Sequence, residues 1–140
     1  MIDIKDSGPA PFVGGIEGLT VANDNYRTTL WTGNNLQVTL MSIQPGHDIG
    51  LEVHEHIDQF LRIEQGQATV NMGPTADNLQ IWQAKEDDAI IVPAGTWHNL
   101  TNSGDVDLKV YSIYAPVQHP HGTIHVTQEE AEAAEAEEHN

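Results

Sequence analysis

The chain has 140 residues, 39% of them hydrophobic, with no cysteine and a net charge of −16 from 21 acids against 5 bases. That length is one ordinary domain, enough to bury a core unaided, and the missing cysteine excludes disulfides, thiolate metal sites and a cysteine nucleophile. The charge argues against nucleic-acid and membrane partners, no apolar run approaches the ~20 residues of a membrane span, and the cations Lys5, Arg27, Arg62, Lys85 and Lys109 offer little grip on a phosphate.

In chain order, residues 1–25 are broken by Gly8-Pro9, Pro11 and Gly14-Gly15 and read as an irregular lead-in. The start of the chain has no apolar h-region, so a cytoplasmic location is the expectation. From about Tyr26 to 117 the text is β-like. Leu36 to Ile43 alternates up to Pro45-Gly46, Phe60 to Ile63 runs to Gly66, and Gln67 to Met72 runs to Gly73-Pro74. Ala89 to Val92 ends at Pro93-Ala94-Gly95, and Leu108 to Tyr114 at Pro116. Short apolar runs with a turn every 8 to 12 residues predict an all-β sandwich or barrel. The last segment, 118–140, carries His119, His121 and His125 and then the acidic run Gln128 to Glu138. That run is made of strong helix formers, with Thr127 and Glu130 spaced as a capping box. It has almost no apolar stripe and reads as a solvated helix or tail without chemistry.

Two segments carry possible chemistry. In the first, Glu52, His54 and His56 alternate, so a strand would turn all three to one face, and Gln59 opens the next apolar run. In the second, His98 follows the turn Pro93-Ala94-Gly95. Imidazole, carboxylate and amide oxygen converging in a barrel mouth would make a first shell for Mn, Fe, Ni or Zn.

These segments resemble the two cupin motifs. Pro93, Gly95, His98 and Asn102 fall at the spacings of the second motif, with Asp87 standing where its leading glycine belongs. The first motif can be laid on the chain in two registers. One takes His54 and His56 as its His-x-His pair. The other counts back from Gly66 and makes Glu52, His54 and Gln59 the ligands, with His56 left in the turn between strands; this one keeps the turn length the motif requires and is preferred. The text Glu52-Val53-His54…Gln59-Phe60 is also similar to a subset of small bacterial cupins often called mannose-6-phosphate-isomerase-like.

The resemblance implies a double-stranded β-helix (a jelly-roll barrel) holding one divalent ion on Glu52, His54, Gln59 and His98, with His56 as the alternative to Glu52. It also implies a small-molecule ligand in the barrel mouth and a homodimer. The function expected first is a sugar isomerase- or epimerase-like enzyme acting on a chelating hydroxy-carbonyl metabolite, for which His56, Tyr111 and His125 are candidate bases. A metal-dependent oxygenase and a non-catalytic metal or metabolite binding module are the alternatives, because the fold hosts many chemistries.

Overall fold

The computed structural model describes residues 4–138. Nine strands alternate with tight turns: β1 (Arg27–Thr32), β2 (Gln37–Ile43), β3 (Asp58–Gln65), β4 (Gln67–Thr75), β5 (Asn78–Lys85), β6 (Ala89–Val92), β7 (Trp97–Asn102), β8 (Leu108–Ala115) and β9 (Ile124–His125). They form two antiparallel sheets, one of six strands in the order β6-β3-β8-β2-β1-β9 and one in the order β5-β4-β7. The sheets close on a shared core. Met41, Ile43, Leu61, Ile63, Leu108 and Val110 of the larger sheet meet Ala68, Val70 and Leu100 of the smaller one.

Period-two alternation sorts the side chains. In β3, Gln59, Leu61 and Ile63 face inward while Phe60 and Arg62 face out. The cross-strand register then stacks the inward residues in rows. One row runs Gln37, Tyr114, Gln59, Val92 and the next Thr39, Ser112, Leu61, Ile90. The barrel is thus polar at one end and apolar at the other, where Ile43 and Leu108 pair.

The turns follow the sequence closely. Gly66 has a φ of +97 and Gly95 of +82, the left-handed region that costs a glycine nothing. Asp87, the residue in the glycine position of the second motif, also lies there, at φ 74. Asp is among the few non-glycine residues that visit this region readily. Asn102 ties the far end of the same motif: its amide donates to the carbonyls of Ile43 and Val106 at 2.8 Å each, and its Oδ1 accepts from Gly104 N at 2.9 Å.

Both flanking segments are more ordered than the sequence suggests. Within residues 1–25 lies a short helix, α1 (Ile16–Ala22), packed on the outer face of β2, β3 and β8. Seven residues with a glycine among them show no helical period, and such a helix exists because a sheet supports it. Beyond residue 117, β9 pairs with β1, so the larger sheet extends past the segment 26–117. The acidic run forms α2 (Gln128–Glu138), capped as expected by Thr127, whose Oγ1 accepts from Glu130 N at 3.1 Å. It is not a solvated appendage. Ala131 is buried in the core cluster with Tyr26 and Ile49, and Glu135 makes an ion pair with buried Arg27 at 3.1 Å.

Candidate metal centre

The segment after β2 runs alongside β7 without being a full strand. Glu52 and His98 exchange both backbone hydrogen bonds, N to O at 3.0 and 2.9 Å. A pair bonded in this way projects both side chains to one face. His54 lies one period further on, where its carbonyl accepts from Gly95 N at 2.8 Å and so anchors it to the Pro93-Ala94-Gly95 turn. The chain then bends at Glu55 and His56, and the strand period ends there.

Glu52, His54 and His98 each bring a ligand atom within 4.8 Å of the others. Glu52 Oε1 stands 3.5 Å from His54 Nε2 and 3.5 Å from His98 Nε2. Both Nε2 atoms are buried without a hydrogen-bond partner among the described residues. Ligand atoms about 2.1 Å from one ion lie about 3.0–3.4 Å from each other, so these spacings fit a shared cation. His98 is also preset for it. Its Nδ1 lies 3.0 Å from the Thr96 carbonyl, which can only accept, so Nδ1 carries the proton and Nε2 presents a lone pair. Burial alone would raise the Glu52 carboxyl, but the imidazoles of His54 and His98 beside it reverse this and hold it at about 2. Glu52 therefore stays an anion.

Gln59 lies in the same polar layer, buried, with Nε2 3.4 Å from Ser112 Oγ and Oε1 unpartnered among the described residues. Tyr114, cross-strand to Gln59, sets its ring edge-on to His54 with centroids 6.1 Å apart. Burial pushes its phenol up to about 12, so it remains a donor. Past Tyr114 stand His119, with centroids 5.3 Å apart, and then His125, 6.4 Å from His119.

Two clefts of about 700 and 630 Å3 lie elsewhere, one around Gly66, Lys85 and Ser103, the other between α2 and Tyr26. Neither contains Glu52, His54 or His98. The buried cluster is the better candidate, because ligation needs converging, desolvated donors rather than volume.

Comparison with known proteins agrees with this architecture. Residues 39–114 match the cupin domain family Cupin_2. The chain belongs to the cupin family. This cupin is 56% identical over 133 residues to YrkC of Bacillus subtilis, covering 94% of the chain and 72% of that protein. Its fold is similar to the crystal structure of BH2720 from Bacillus halodurans, with a TM-score of 0.92 and 57% identity over 93% of this chain and 99% of that one. KdgF from Halomonas is more distant, at a TM-score of 0.59 and 16% identity over 83% of this cupin and 96% of that chain, and shows the shared fold alone.

The residues singled out in the sequence end up in different places. His56 is exposed and stands outside the Glu52, His54 and His98 group. Tyr111 sits on the outer face of β8 against Phe60, with ring centroids 6.3 Å apart, because it is odd-numbered in a strand whose even positions face in. His125 does face the interior and is buried. Sequence reasoning missed Tyr114, His119 and Arg27 as interior residues. Tyr114 could have been found, since its parity in β8 matches Leu108 and Val110. Arg27 and His119 had no such signal.

Proposed function

We propose that this cupin is a metal-dependent enzyme of the isomerase or epimerase type, handling a small hydroxy-carbonyl metabolite inside the barrel. Glu52, His54, Gln59 and His98 are the proposed ligands of one divalent ion. The observation that carries this reading is the placement of one carboxylate oxygen 3.5 Å from two buried imidazole nitrogens that lack hydrogen-bond partners. Leaving such atoms buried and unpaired costs about 1–3 kcal/mol each, which a shared cation offsets. The donor set suits Mn, Fe, Ni or Zn. When bound, such an ion supplies Lewis acidity that polarises a chelating hydroxyl and carbonyl. Tyr114, kept protonated, donates to a ligand oxygen. Moving a proton between carbons needs a base, and His125, the buried one of the three candidates His56, Tyr111 and His125, is proposed for it. Arg27, His119 and His125 replace the outward Tyr111 and the exposed His56 as the groups to examine. A homodimer is proposed through the outer face of the larger sheet. There Ile91, Phe60, Ile113, Val38 and Trp31 form one cross-strand row that α1 leaves partly uncovered.

The test is elemental analysis of protein purified without added metal. One ion per chain in wild type and His56→Ala, with loss in Glu52→Ala and His98→Ala, is the expected result. No metal in any sample, and none taken up on titration, would remove the metalloenzyme reading. Iron in the wild type would direct assays to oxygen uptake, and Mn, Zn or Ni to isomerisation.

A further inference from the structure

Arg27 is a cation buried to 3% exposure inside the barrel, at the β1–β9 pair rather than beside the Glu52 cluster. Its Nη1 bonds His125 Nδ1 at 3.0 Å and Glu135 Oε1 at 3.1 Å, while its Nε is buried without a partner among the described residues. His119 stands next in line, 3% exposed, and both of its ring nitrogens are likewise unpartnered. A run of contacts joins this region to the Glu52 cluster: His54 to Tyr114, Tyr114 to His119, His119 to His125, and His125 to Arg27, so they share one interior. The fold also spends a fully buried residue on aiming His119. Gln37 Oε1 accepts from His119 N at 2.8 Å, and Gln37 Nε2 donates to the His119 carbonyl at 2.8 Å. A backbone gripped on both sides fixes the ring in the interior.

We propose that Arg27 and His119 form a carboxylate subsite, so that the ligand of this barrel is a hydroxy- or keto-acid anion rather than a neutral sugar. The inference deepens the proposed function and rests on it for the site being a small-molecule site. Guanidinium is the side chain best shaped for a carboxylate, and neutral His119 adds a donor beside it. The chain itself supplies the same chemistry: Glu135, on the face of α2 that covers the barrel, sets a carboxylate on Arg27. Charge points the same way. A divalent ion on Glu52 together with the neutral Arg27–Glu135 pair leaves a net positive interior, and a buried net charge calls for a counter-ion. In this arrangement Glu135 competes with the ligand for Arg27, and α2 shifts to admit it.

The test uses calorimetric titration of full-length protein, as purified and with its metal content measured, against lactate and the neutral hydroxyacetone. Arg27→Met is expected to weaken lactate binding about tenfold or more, the scale of a lost charge-assisted hydrogen bond, and His119→Phe to weaken it less. Glu135→Gln, whose amide oxygen can still accept from Arg27, is expected to tighten lactate about threefold or more by removing the internal competitor. Hydroxyacetone is expected to respond to none of the three. Lactate affinity unchanged in both Arg27→Met and Glu135→Gln overturns the proposal, as does hydroxyacetone binding with the same dependence on Arg27. If the wild type holds no metal yet binds lactate through Arg27, the subsite stands and the metal reading falls; metal present with lactate indifferent to Arg27 gives the reverse.

Discussion

Burial, followed by the charges of Arg27 and His125, pushes the His119 imidazole down to about 3. In the unfolded chain the same ring titrates near about 6.5. Between those values the unfolded state binds a proton that the folded state refuses, so acid favours unfolding. The contribution is absent above pH 6.5, sets in as pH falls below it, and grows by up to about 1.4 kcal/mol per pH unit until the folded ring itself protonates. Urea unfolding at pH 7.5 and 5.5 is expected to show a loss in the wild type about 1 kcal/mol larger than in His119→Leu. Parallel losses in the two proteins would mean that His119 is protonated without penalty and is not the buried neutral group described. Nothing local in the sequence marks His119 for this role. It lies between Gln118 and Pro120 in a segment without strand period, and its burial depends on Gln37, 82 residues earlier. Glu52 and His54 differ, since their alternation is visible in the text itself.

Among elements, α2 separates what was legible from what was not. Helix propensity and the Thr127 cap gave its presence and limits. Its docking was hidden because the docking face is not an apolar stripe: Gln128, Ala131 and Glu135 share one side of the helix, and only Ala131 is hydrophobic. Gln128 Nε2 donates to Asp48 Oδ1 at 2.9 Å, Ala131 enters the core, and Glu135 pairs with Arg27. Ala131→Glu is expected to cost about 2 kcal/mol or more by forcing a charge into the core or releasing the helix. A lower Tm together with new protease cleavage within 126–138 would report it, and a variant that melts and resists protease like the wild type would show that α2 does not dock. The strands are the opposite case. β6 coincides with the run Ala89 to Val92, and β2 and β8 lie within a residue of their runs, because alternation and bounding turns are local features.

For the whole molecule, the outer face of the larger sheet bears on assembly. Ile91 is 63% exposed at the edge of the row that continues through Phe60, Ile113, Val38 and Trp31. If that row is the homodimer face, sedimentation velocity is expected to give a dimer for the wild type and a monomer for Ile91→Asp. A wild-type monomer, or a dimer indifferent to Ile91→Asp, would exclude this face. The sequence by itself determined the β class, most strand positions, the turns at Gly66 and Gly95 and the alternation of Glu52 with His54. All of these follow from the conformational preferences of consecutive residues, which neighbouring side chains and turn chemistry dictate. Only the tertiary structure decided that Glu52 meets His98 across a strand pair, that Tyr111 faces out, and that Arg27 finds Glu135, 108 residues away. Those contacts are consequences of closing the sheets on one another, where burial forces polar groups distant in sequence to find each other, and no local pattern records that choice.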